Sequence, residues 1–244
     1  MTTVYDYLFS TTSMIYSAAA LIPAIVLLVL VYRQDKIEKE PAGLLWKLLL
    51  LGGGASVAFA LVGESILQEA LNQLVSPYDH ILYNLILAFI VVACVEEGGK
   101  LIFLKLFSWK SPHFNYVFDA VVYSAFVSLG FAAIENVKYV FNFGLEVAVT
   151  RAFTSVPAHL SFAILMGVFY GRAKLCEVYG NKAKQRKNML LAYLVPTLFH
   201  GTYDACCMIE HTLATLLFFP FVIVMYIIVF RLIRRASIYD RPLG

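Results

Sequence analysis

Two adjacent carboxylates and a lysine interrupt the apolar run "LILAFIVVACVEEGGKLIFLKLF", 85–107. Lys100 lies four residues after Glu96 and three after Glu97, and both spacings make neighbours on a helix. Successive residues point about 100° apart. One glutamate can therefore pair with the lysine while the other faces a cavity. An ionisable group near a bilayer centre costs about 2.5–3.5 kcal/mol on insertion scales. A single Glu–Lys pair could serve only to fix helix register. The second carboxylate is left unbalanced by that reading and points to chemistry. Gly98 and Gly99 leave the other surface bare for a neighbouring helix.

Further candidates lie later in the chain. Glu135 and Asn136 come late in "FDAVVYSAFVSLGFAAIENVKYV", 118–140, where Glu135 is expected to be solvated or paired with Lys138. His159 lies just after Pro157, in the first turn of "SVPAHLSFAILMGVFYG". In "LLAYLVPTLFHGTYDACCM", His200 and Asp204 are four apart and share a helix face. A carboxylate there orients the imidazole and raises its basicity. Pro196, upstream, is expected to disrupt the backbone. Two histidines and three glutamates gathered in one cavity would serve catalysis, metal binding or proton-coupled transport.

The elements that must position these groups are membrane helices. The chain is 61% hydrophobic and 14% charged, with mean hydropathy +0.77, well away from soluble-domain composition. About 20 apolar residues cross the hydrocarbon core as a helix, and these runs are too long and too uniformly apolar for barrel strands. The expected fold is all-α, a polytopic bundle of about seven spans at 14–32, 44–62, 81–107, 117–137, 156–172, 189–209 and 213–232. Residues 64–80 are expected at the interface or as a short external helix. No linker, low-complexity tract or repeat divides residues 1–244, which read as one integral-membrane domain.

With the N-terminus outside, all Lys and Arg except Lys138 and Arg151 fall on the inner side, and the bias survives when Lys47 and Lys100, at or within spans, are discounted. The positive-inside rule thus predicts N-out, C-in. The run "NKAKQRKN", 181–188, reads as a solvated inner loop, and without interleaved aromatics it does not suggest nucleic acid. The four cysteines form no metal or disulfide framework. In this topology Glu96 falls near mid-depth, His200 at or above it, and Glu135 and His159 higher. All can line one cavity in the outer half of the bundle.

These motifs resemble the PrsW family of intramembrane proteases, relatives of the CAAX prenyl endopeptidases and bacteriocin-processing enzymes. "EEGGK" at 96–100 resembles that family's EExxK motif, and "FDAVVYSAFVSLGFAAIEN" its second motif, ending at Glu135. His159 and "FHGTYDA" around His200 match the third and fourth, and "DKIEKEP" at 35–41 its segment after the first helix. The resemblance covers about residues 30–210. "YSAF" at 123–126 departs from it, since the family often has glycine after the tyrosine.

The resemblance implies a multi-pass cell-membrane endopeptidase that cuts a single-span membrane protein, such as an anti-sigma factor, on its extracytoplasmic side. This would be the site-1 step of an envelope-stress response. No Ser or Cys has a base at a persuasive spacing, so direct water attack is expected. Glu96 or Glu97 is then the general base and Lys100 balances the other carboxylate. His200, oriented by Asp204, stabilises the oxyanion or donates the proton, and Glu135 and His159 complete the site. An alternative set has His159, His200 and Glu97 bind Zn²⁺ with the other glutamate as base. The competing functions are a proton- or ion-coupled transporter, disfavoured by the absence of repeats, and a non-catalytic membrane sensor.

Overall fold

The computed structural model describes residues 10–244, which are helical with no strand among them. The residues before Ser10, placed outside by the charge reading, lie outside the described residues. Helix α1 is Thr11–Gln34, started by Ser10, whose Oγ accepts from Ser13 N at 3.1 Å. Helix α2 is Ala42–Leu74 and contains a π-helical stretch, Lys47–Gly52. Helix α3 runs without a break through His80–Ile86, a π-helical stretch Leu87–Ala93, and Cys94–Ser108. The remaining helices are α4, Asp119–Phe143; α5, Leu145–Phe153; α6, Ser155–Val178; α7, Lys182–Met208; and α8, Thr212–Ile238.

Among the described residues, five stretches are long and apolar enough to cross a membrane: α1, α2, α4, Leu145–Val178 and α8. The expected spans 81–107 and 189–209 are helices too, α3 and α7, but their apolar runs carry charge. In α3 these are Glu96, Glu97, Lys100 and Lys105, and the first turns of α7 are basic.

Burial orders the bundle. In the most apolar window of α4, 72% of residues are buried, against 22% for α1 and 17% for α8, which puts α4 at the centre and α1 and α8 at the rim. The exposed faces of the rim helices carry Ile22, Ile25, Leu30, Phe219, Ile223 and Phe230, as a lipid-facing surface should. At the crossing of α2 and α4, Gly53 faces Gly130, and a Cβ on Gly53 would stand 2.7 Å from the Gly130 carbonyl carbon. Only the missing side chains allow that approach.

Three local expectations are corrected. Residues 64–74 are not a separate segment but the last turns of α2, because nothing between Ala42 and Leu74 breaks the helix. The run at 181–188 is not a loop: Asn181 caps α7, its Oδ1 accepting from Lys184 N at 3.0 Å, and the basic residues form the first turns. Pro196 lies inside α7 and the helix continues past it.

Candidate active site

The π-helical stretch Leu87–Ala93 ends one residue before Cys94. An inserted residue of this kind rotates the helix beyond it and is often found at functional sites. Here the rotated part is the Glu96–Lys100 turn, which faces inward: Glu97 and Lys100 are fully buried and Glu96 is 5% exposed. Gly99 is the contact surface on the other side, where a Cβ would meet Phe59 of α2 at 2.8 Å.

Lys100 Nζ is the hub. It lies 3.0 Å from Glu96 Oε2, 2.7 Å from Glu97 Oε1 and 3.3 Å from His159 Nδ1 of α6. It also lies 4.3 Å from the centre of the Phe131 ring. The expectation that Lys100 neutralises one glutamate and leaves the other free is therefore corrected: its three N–H donors reach both.

His159 links this hub to a second one. With Nδ1 accepting from Lys100, its Nε2–H donates to Glu135 Oε2 at 2.9 Å. The same oxygen accepts from Arg151 Nη2 of α5 at 2.8 Å, and Arg151 Nε donates to Asn136 Oδ1 at 2.8 Å. Asn136 Nδ2 in turn donates to the Ala20 carbonyl of α1 at 2.8 Å. Glu135 is thus neither merely solvated nor paired with Lys138. Its cation is Arg151, brought alongside by the chain reversal at Gly144, whose φ of +88° favours glycine.

His200 of α7 closes the group. Its Nδ1–H donates to Glu97 Oε1 at 2.9 Å, and Nε2 faces Asp204 Oδ2 at 3.2 Å and Glu96 Oε2 at 4.0 Å. The Asp204 oxygen is close but has no aligned hydrogen bond. The hydrogen bond that orients the ring is from Glu97, with Asp204 supplying charge nearby. The ring stacks on Phe162, centroids 4.7 Å apart. A cavity of about 550 Å³ opens onto Glu96, Glu135, His159, His200 and Asp204, but not onto Glu97 or Lys100. Its walls are largely apolar, among them Val57, Leu61, Ile134 and Met208.

All seven sequence-derived candidates thus stand in one connected network. Arg151 and Asn136, which fix Glu135, and Glu64, which lines the same cavity, were missed as site residues. Arg151 lies 16 residues from Glu135, a separation that no helical spacing rule connects.

Residues 40–233 match the family described as PrsW family intramembrane metalloprotease. The chain belongs to the PrsW family. It is 36% identical over 211 residues to Protease PrsW of Clostridioides difficile (strain 630), covering 85% of each chain. It is 33% identical over 220 residues to Protease PrsW of Oceanobacillus iheyensis, covering 90% of this chain and 95% of the relative. With Protease PrsW of Bacillus subtilis (strain 168) it shares 30% identity over 187 residues, covering 77% and 80%. No solved structure matches the chain significantly. This PrsW-family chain is therefore a multi-pass membrane protein and a peptidase.

The family description raises the question of a metal. Donor atoms of Glu96, Glu97 and His159 lie within 4.8 Å of one another. A zinc ion would sit about 2.0–2.2 Å from each donor. Lys100 Nζ already occupies the space among all three, within 3.3 Å of each. The other set, His159, His200 and Glu97, is not assembled either, since both nitrogens of His159 are engaged by Lys100 and Glu135. With the ammonium in place, neither donor set fits a metal.

Proposed function

We propose that this PrsW-family chain is a seven-span, N-out/C-in endopeptidase of the cell membrane that cuts a single-span membrane protein with a Glu/His-activated water. The observation that carries this is Glu96: among the two motif glutamates only it reaches the cavity, where His200 and His159 also face.

Glu96 takes a proton from a water in the cavity, and the water oxygen attacks the scissile carbonyl carbon. The resulting oxyanion is stabilised by a donor that faces the cavity, for which His200 Nε2 is the candidate. The C–N bond then breaks and the amine leaves with a proton from His200 or Glu96. Glu97 and Lys100 are positioning groups: Glu97 holds His200, and Lys100 holds both carboxylates and His159. Glu135 fixes the other face of His159, and Asp204 supports the charge on His200. The apolar cavity walls suit a segment drawn from a transmembrane helix. The resemblance of the motifs supports an anti-sigma factor as the substrate, cut on its outer side.

The test is cleavage of a tagged single-span membrane protein by purified enzyme in liposomes after dialysis against a strong zinc chelator. Full turnover without metal is the expected result. Loss of turnover, restored by stoichiometric zinc, would overturn the metal-free mechanism.

A further inference from the structure

At the basic end of the bundle, remote from the catalytic network, a second cavity of about 870 Å³ lies between α4, α6, α8 and the C-terminal tail. Three arginines line it: Arg172 from α6, Arg235 from α8 and Arg241 from the tail. Among the described residues, Arg151 is the arginine held in an ion pair, and these three have no carboxylate within ion-pair distance. Arg172 instead lies 5.5 Å from the Phe169 ring.

One carboxylate, Asp240, shares the cavity. Its Oδ1 is taken by two backbone donors, Phe118 N and Arg241 N, each at 2.9 Å. Burial also raises its pKa, which weakens it as a competing anion. The remaining wall is apolar, with Val117, Val121, Val168, Leu175 and Leu232.

The tail is a built wall of this cavity. Val117 N donates to the Arg241 carbonyl at 3.1 Å, and Leu243 N to the Asn115 carbonyl at 2.7 Å. Leu243 is buried. The backbone of Arg241 is therefore held in place before any ligand arrives, which lowers the ordering cost of binding. Positive charge for orienting the chain does not require this convergence, because Arg231 and Arg234 on α8 do not line the cavity.

We propose that this cavity binds an anionic phospholipid, its phosphate against Arg172, Arg235 and Arg241 and its acyl region along the apolar wall. Guanidinium groups pair with phosphate oxygens in a bidentate fashion, and basic pockets between membrane helices take lipid headgroups. A free phosphate offers the same oxygens but leaves the apolar wall unused.

The experiment is native mass spectrometry of the full-length protein, delipidated in neutral detergent and titrated with phosphatidylglycerol or phosphatidylcholine. Wild type is expected to retain phosphatidylglycerol selectively, and millimolar inorganic phosphate is expected not to displace it. Arg172→Gln with Arg235→Gln should weaken retention about 25-fold, at about fivefold per arginine. Arg231→Gln with Arg234→Gln removes the same charge outside the cavity and should leave retention unchanged. Equal losses in the two double variants, no loss in either, or equal retention of the two lipids would overturn the proposal. Displacement by inorganic phosphate would overturn it in favour of a soluble-anion site. If Arg172→Gln with Arg235→Gln does not insert, Arg241→Gln alone should cost about fivefold, and undiminished retention there would overturn the proposal equally.

Discussion

Lys100 donates to two carboxylates and a histidine from a site with no access to water. Removing one partner of a buried pair costs more than the pair is worth, because the other charge is stranded, about 3–5 kcal/mol. Glu97 touches both Lys100 and His200, whereas Glu96 also faces the cavity, so their conservative variants should separate. Glu97→Gln should lower the thermal unfolding midpoint in detergent clearly more than Glu96→Gln does; equal shifts would contradict the positioning role. At His200, cleavage rates should fall in the order wild type, Asp204→Asn, then His200→Ala at background, because the amide keeps an acceptor near the ring but not its charge. A folded His200→Ala protein that cleaves at more than about a tenth of the wild-type rate would remove His200 from the site, since general acid–base groups are worth about 10²–10⁴-fold. The i,i+3 and i,i+4 links of this network were legible in the sequence. The links from Lys100 to His159 and from Glu135 to Arg151 were not, since they depend on how α3, α4, α5 and α6 pack.

The helix ends carry their own electrostatics. Between α1 and α2, Glu40 is buried and accepts from Tyr123 Oη of α4 at 2.6 Å. Burial raises its pKa to about 7, against the opposing pull of hydrogen bonds from Tyr123 and Asp119, while Asp35 and Glu38 add to the rise. The folded state therefore holds this proton up to about pH 7, while an unfolded chain releases it near 4.5. Between those values the folded form binds more protons, so stability falls as pH rises. Glu40→Gln should flatten part of that fall in thermal midpoint between about pH 5 and pH 7. The slope should not vanish, because Asp35 and Asp240 are shifted the same way by burial. An unchanged slope would remove Glu40 from the titrating set. At this scale, apolar run length predicted the helices well. It could not reveal the π-helical stretches, which leave the hydrophobic pattern intact, nor that the basic run 181–188 would be helical, since solvated loops and solvated helix ends share a composition.

For the whole molecule, the burial gradient from α4 outward puts the polar network at the centre and the apolar rim where lipid would be. Hydropathy and charge bias made the class legible, and the order of four motifs made the family legible. Depth along the spans let one cavity shared by Glu96, Glu135, His159 and His200 be expected, but which of their faces meet there, and that Asp204 joins them, needed the three-dimensional packing. Glu96 is proposed to activate the water that cuts a membrane-spanning substrate. The most direct test of this role is single-turnover cleavage of a tagged single-span protein in liposomes, comparing wild type with Glu96→Gln at equal inserted amounts and with both shown folded by thermal unfolding. Wild type should yield a fragment, and Glu96→Gln should cleave at a rate at least about 10²-fold lower. A folded Glu96→Gln protein cleaving within about tenfold of wild type would contradict it.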